Sequence, residues 1–270
     1  MDVYSKESEI IEGMLECSKC HSLFPIIEKI PILWEDFSDY LASRRTLGGK
    51  LYQSASEKMK KFVKSSLASR TLKIEDRTGL EDRWAKIYRN SQRSKFYSIM
   101  KNELSKLPSS NLSLEYGCSI GTVTKFLSDC SKTVFGIDRS FSAIKMAQKN
   151  SRENIDYFVA DLLTPIFGVQ KFDLIISLNL LELVEPTEFL NHISLQIEKG
   201  CLIISDPYDY DRGTNSVKNF LDEKSLRQQL KNYGFKITKN TINPSQIPWN
   251  LKLNQRATLN YKTDLIVAKK

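Results

Sequence analysis

No stretch of the 270-residue chain reaches the roughly 18 to 20 apolar residues that a membrane-spanning helix needs, so contact with a membrane is not expected. The opening MDVYSKESEI has no apolar core and begins with acidic residues. No secretory leader is legible there, and a cytoplasmic setting is the expectation. Cysteines are few and odd in number, at Cys17, Cys20, Cys118, Cys130 and Cys201, with only the first two close together. That excludes a disulfide framework and points to reduced thiols. Histidine is scarcer still, at His21 and His192. Cys17 and Cys20 with His21 match the start of a tetrahedral zinc set, but no fourth ligand lies nearby, so no metal is expected. Internal repeats and low-complexity tracts are absent as well.

What is present is ordinary globular composition, 41% apolar and 27% charged, in a chain longer than one average domain. The net charge of +8 is unevenly placed. Residues 38–107 hold 17 Lys or Arg against 7 Asp or Glu, a local +10 that leaves about −2 for the rest. Such a segment is either a set of solvated helices with basic outer faces or a surface for an acidic partner such as RNA.

The chain divides into three parts. Residues 1–37 contain a compact unit in which a CxxC knuckle precedes two apolar runs punctuated by Pro25 and Pro31. Residues 38–107 read as helices: Met59, Phe62, Val63 and Leu67 recur at helical spacing among lysines, Gly48 and Gly49 mark a break, and Trp84, Tyr88, Phe96 and Tyr97 supply aromatics for a core or a ligand lid. Residues 108–270 alternate strand and helix signals. Apolar runs lie at 112–116, 133–138, 155–161, 172–178, 200–206, near 235 and at the C-terminus, and Ser140 is a natural N-cap. The expectation is an α/β fold, a Rossmann-like doubly wound and mostly parallel seven-stranded sheet, with the first 107 residues as a ribbon-like and helical extension.

In such a sheet the ligand sits beyond the carboxyl ends of the strands, where strand order reverses. The polar residues at those ends are Glu115 with Gly117 and Gly121, then Asp138, Asp161 followed by Leu162, Asn179, and Asp206. Glycines let the backbone approach a ligand, and Asp138, 17 residues past Gly121, is spaced to accept both hydroxyls of a ribose. The loop GCSIG departs from the dinucleotide pattern, with serine at 119 and threonine at 124. Glu115 beside it would repel a pyrophosphate and favour a ligand carrying an amino group or positive charge.

The runs LEYGCSIG, GIDRS, ADLL and FDLIISLNLLELVEP resemble, in order and spacing, the sequence blocks of class I S-adenosylmethionine-dependent methyltransferases. The resemblance implies that Glu115, Gly117 and Gly121 form the loop at the methionine side, that Asp138 binds the ribose, that Asp161 and Leu162 hold the adenine, and that Asn179 lines the donor pocket. Residues 13–33 resemble part of the zinc-ribbon subunit that activates certain methyltransferases. Three blocks, 179–190, 207–210 and 247–270, faintly resemble methyltransferases acting on histidine side chains, which makes an imidazole-like or other amine nitrogen one expected acceptor. Asp206, Tyr208 and Asp209, on a loop beyond a strand end, are the acceptor-side candidates. RNA is the rival acceptor among protein, small molecule and RNA, and a non-catalytic binding partner with the same fold is the rival outside enzymes. Methyl transfer needs no covalent nucleophile, because a neutral amine can attack directly and shed its proton to a nearby carboxylate.

Overall fold

The computed structural model describes residues 4–6, 9–71, 73–212 and 217–270. Parts of the opening MDVYSKESEI and Gly213 of the motif DPYDYDRG lie outside the described residues. The chain begins with an antiparallel meander, β1 (Tyr4–Lys6), β2 (Glu9–Glu16), β3 (Leu23–Ile27) and β4 (Ile30–Leu33). Glu28 and Lys29 join the last two with positive φ at both positions, the geometry whose twist matches a two-residue hairpin. The Glu28 carboxylate is engaged by Ser54 and Lys145, which ties the turn to helices on either side.

Five helices follow: α1 (Phe37–Ala42), α2 (Arg45–Ser54), α3 (Glu57–Ala68), α4 (Thr78–Asn90) and α5 (Lys95–Leu104). Asp36 caps α1 by accepting from the Ser38 and Asp39 N–H groups, and Ser56 caps α3. The break expected at Gly48 and Gly49 does not occur, since α2 runs through both. Gly48 serves packing: a Cβ there would lie 2.7 Å from the Leu67 side chain, so its hydrogen lets α2 and α3 close against each other. Gly49 faces open space.

The rest alternates as the apolar runs imply: β5 (Ser110–Tyr116), α6 (Thr122–Leu127), β6 (Ser131–Asp138), α7 (Phe141–Gln148), β7 (Ile155–Ala160), β8 (Leu174–Leu178), α8 (Pro186–Gln196), β9 (Cys201–Asp206), α9 (Glu223–Asn232), β10 (Lys236–Ile237), β11 (Ile247–Lys252) and β12 (Thr258–Lys269). Strands β4, β7, β6, β5, β8 and β9 are parallel in that spatial order, β12 pairs antiparallel with β9, and β10 and β11 both pair with β12. Order reverses between β5 and β8, which puts the switch point beside the glycine loop.

The sheet therefore holds twelve strands among the described residues, not seven. The seven expected strands are all in it. Four of the additional ones are β1–β4, because β4 pairs in parallel with β7 through Ile32 with Val159 and Leu33 with Ala160 and so continues the main sheet. The other is β11, a hairpin partner for β12. The pattern of β12 records the two environments: alternating exposure over Thr258–Lys262 where it meets β11, then continuous burial from Thr263 to Ala268 against β9. Two apolar cores cover the faces, one reaching α1–α5 and Trp249, the other lying under α8 and α9. No helix among the described residues is long and apolar enough to cross a membrane.

Candidate active site

Strand β5 delivers Glu115 into the interior, where it is 4% exposed. The Thr124 hydroxyl, from the first turns of α6, donates to its carboxylate. Burial is the larger influence and pushes the carboxyl up to about 8. Thr124, read in the sequence only as a departure from a dinucleotide pattern, is thus the residue that holds Glu115.

The loop after β5 is a run of left-handed conformations: Gly117 at φ 65°, Ser119 at 48° and Gly121 at 73°. A Cβ on Gly117 would fall 2.5 Å from Leu180, and one on Gly121 would fall 2.3 Å from the Tyr157 hydroxyl. Both glycines are therefore demanded by the protein itself as well as by φ. Gly117 lies on the cavity wall, whereas Gly121 stands behind it against Tyr157. Ser119 occupies a backbone conformation that glycine adopts without cost, and its N–H donates to Asp138 Oδ2 at 2.9 Å.

Asp138 ends β6 and accepts a second bond from the Ser140 N–H at 2.8 Å, while Ser140 caps α7. Burial raises its carboxyl to about 6 against the pull of those two N–H groups. Asp161 follows β7 and accepts from the Leu163 N–H at 2.9 Å. Asn179, after β8, has φ 56° and is pinned by its N–H to the Ser205 carbonyl at 2.7 Å and by the Ser205 hydroxyl on its side-chain oxygen at 2.9 Å. Glu115, Gly117, Asp138, Asp161, Leu162 and Asn179 all face one cavity of about 710 Å³, within the range of small-molecule sites.

An aromatic strip closes the opposite wall. Trp84 and Tyr88 of α4 have ring centroids 5.8 Å apart, Tyr88 lies 6.3 Å from Trp249 of β11, and Trp249 lies 5.9 Å from Phe96 of α5. The helical aromatics, expected as core or lid, pack in the core and line the cavity; Trp249 was not foreseen there, because it reaches the cavity only through the hairpin of β11 and β12. Glu185 and Glu188 stand at the mouth near Lys218 and Asn219. Glu185 accepts from the Lys218 N–H at 3.0 Å and the Asn219 amide at 2.8 Å, the former being the main reason its carboxyl lies below the ordinary range.

Asp206, Tyr208 and Asp209 are not brought to this wall. Asp206 is fully buried and braces two loops, accepting from the Leu181 N–H at 3.0 Å and the Tyr208 N–H at 2.8 Å. Burial and then the neighbouring Glu182 hold its carboxyl well above the usual value. The Tyr208 hydroxyl donates to Asp264 at 2.9 Å, and Asp264 is also paired with Arg227. The loop after β9 folds back under the β8 loop, so its polar groups serve the frame. At the CxxC turn, Cys17 is half-buried, Cys20 exposed, and His21 Nδ1 lies 2.8 Å from Glu16. Among the described residues no three His, Cys, Asp or Glu side chains gather as a metal set.

A family model described as a methyltransferase domain matches residues 89–240, more than half of the chain. The chain belongs to the methyltransferase-domain family. It is an S-adenosylmethionine-dependent methyltransferase. Solved structures agree in fold. Magnesium protoporphyrin IX methyltransferase from Synechocystis PCC 6803 with bound S-adenosylmethionine aligns with a TM-score of 0.53 at 19% identity, covering 80% of this chain and 99% of that one. N-methyltransferase NodS from Bradyrhizobium japonicum WM9 aligns at 0.52 and 18%, covering 66% and 98%. A chain from a complex between the Haloferax volcanii Trm112 methyltransferase activator and a methyltransferase aligns at 0.57 and 13%, covering 73% and 97%. No curated relative matches the chain. The methyltransferase's own residues suit the donor: Asp138 and Asp161 at successive strand ends line the cavity, disfavour a pyrophosphate and offer acceptors to ribose hydroxyls and an amino group.

Proposed function

We propose that this methyltransferase moves the methyl group of S-adenosylmethionine to a nitrogen, of an imidazole or another amine, that enters between the aromatic strip and the acidic mouth. The observation that carries the reading is the pairing of Trp84, Tyr88 and Trp249 on one wall with Glu185 and Glu188 at the opening. Aromatic faces and carboxylates attract the partial or full positive charge of such a group. Glu115 and the Gly117 loop would hold the methionine end, Asp138 the ribose, Asp161 and Leu162 the adenine, and Asn179 the wall nearest the methyl group. The donor supplies a carbon already activated by its sulfonium. The chain's part is to orient the nitrogen, exclude water with the aromatic wall and leave a carboxylate at the mouth to take the departing proton.

In this reading residues 108–270 are the catalytic unit of a cytoplasmic enzyme, and residues 1–37 support it in cis as a ribbon-like activator would, through β4 on the edge strand β7. The basic helices of 38–107 favour a second reading, in which the acceptor is RNA. Lys58, Lys61 and Lys64 stand exposed along α3. The test is transfer of labelled methyl from the donor to histidine-containing peptides, small amines and RNA, with binding followed across salt. Label in an amine or imidazole nitrogen and a flat salt response support the nitrogen reading. Label in RNA alone, with affinity falling steeply as salt rises, replaces it.

A further inference from the structure

A second cavity, of about 510 Å³, opens on the far side of the Asp138 strand end. Its partition from the donor cavity is built from two side chains, Arg77 and Arg139, which line both. Arg77 comes from the start of α4, with its N–H donating to the Ser43 carbonyl at 2.9 Å. Arg139 follows β6, and its carbonyl accepts from the Tyr40 hydroxyl at 3.1 Å. The backbones of both residues are thereby fixed on α1 and the loop after it.

The charges around this cavity do not balance. Four cations line it, Arg44, Lys73, Arg77 and Arg139, against two carboxylates, Asp39 and Glu75. Lys73 is paired with Asp39 at 3.0 Å. Arg44 is 1% exposed and gives its Nε and Nη2 to Glu81, with its remaining Nη1 on Ser43 and the Tyr40 carbonyl. Glu81 is thus committed to Arg44 and reaches Arg77 only at 4.0 Å. The Nε atoms of Arg77 and Arg139 are both buried without a hydrogen-bond partner among the described residues. Asp138, the other carboxylate near Arg139, is already occupied by two backbone N–H groups. A buried guanidinium donor with nothing to bond costs free energy until an acceptor arrives.

We propose that this second cavity is a phosphate-binding site, in which the guanidinium groups of Arg77 and Arg139, which line it, bond the oxygens of one phosphate group and Lys73 adds a third cation. Guanidinium forks match the tetrahedral oxygens of phosphate, and a dianion offsets an excess of positive charge that a single carboxylate would leave partly in place. In agreement, burial and then the charges of Arg77 and Arg44 act against the charged form of Arg139, a penalty that a bound anion relieves. The phosphate comes either free or on a nucleotide. Because the partition is shared, an occupied second cavity would hold Arg139 in place at the ribose end of the donor site.

The test is isothermal titration of the full chain with inorganic phosphate and, separately, with 5′-AMP, at constant ionic strength. The expected result is saturable binding of one phosphate group per chain, weakened on the order of tenfold or more in Arg77→Gln and in Lys73→Gln, as expected when a charged hydrogen bond is lost. A Lys224→Gln variant, which removes an exposed charge of α9 that lines neither cavity, should bind as the parent does. With the donor cavity filled by S-adenosylhomocysteine, tighter binding of 5′-AMP than of phosphate identifies a nucleotide as the source, and equal binding identifies free phosphate. Melting curves verify that each variant is folded. If either cavity variant fails to fold, the other decides. Absence of saturable binding to the parent chain, or equal affinity in the parent and both cavity variants, overturns the proposal.

Discussion

The loops after β5 and β6 and the loop after β9 stand at the same end of one sheet, yet they use their polar residues in opposite ways. On the first side, Asp138 is presented to the cavity with its oxygens preset by the Ser119 and Ser140 N–H groups, and Glu115 is set by Thr124. On the second side, Asp206 and Tyr208 turn inward and spend their hydrogen bonds on Leu181, Tyr208 and Asp264. Position at a strand end brings a side chain to the right region of the fold. Both aspartates accept two backbone N–H groups, so what separates them is exposure: Asp138 lines the cavity, whereas Asp206 is fully buried.

Four substitutions separate the roles of these residues. The largest effect belongs to the frame. Arg227→Ala leaves Asp264, 3% exposed, without its guanidinium partner and should cost about 3–5 kcal/mol of stability in urea unfolding. Next, Asp138→Ala should weaken S-adenosylhomocysteine binding by roughly 1.5–3 kcal/mol through loss of charged hydrogen bonds, with a much smaller change in stability. Unchanged affinity would remove the ribose role.

The third effect is one of pH. Glu115 titrates at about 8 in the fold against an ordinary 4.5, so between those values the native chain keeps a proton that the unfolded chain has released. Stability must then fall as pH rises through that window, by at most about 1.4 kcal/mol per pH unit for this one group. Asp138, raised from 3.8 to about 6, adds a fall of the same sign over its lower range, as does Asp206. Melting temperatures of Glu115→Gln should decline less between about pH 5 and pH 8 than those of the parent; parallel declines would show that Glu115 is not the buried acid described. The smallest effect is Ser119→Gly, which relieves a left-handed serine and should leave stability the same or higher by about 1 kcal/mol, with donor binding retained.

Much of this was legible in the sequence because it rests on local chemistry. The apolar runs located seven strands, Ser140 declared itself as an N-cap, and Glu115, Asp138, Asp161 and Asn179 lay at strand ends by simple alternation. What stayed hidden depends on partners distant in sequence. Gly48 reads as a helix breaker until Leu67 is seen beneath it, and Ile247–Lys252 was not among the expected strands because it becomes one only by pairing with β12, which brings Trp249 to the cavity. The inward turn of Asp206 follows from Leu181, 25 residues away. Arg139 carries no signal beyond its place after Asp138, because its isolation follows from the commitment of Glu81 to Arg44.

In the proposed reading the cavity at the β5, β6, β7 and β8 strand ends holds the methyl donor on the chain's own residues, Asp138 foremost. Isothermal titration of the full chain with S-adenosylhomocysteine tests it most directly. One saturable site per chain is expected, lost or strongly weakened in Asp138→Ala. A folded parent chain that takes up no S-adenosylhomocysteine would contradict it.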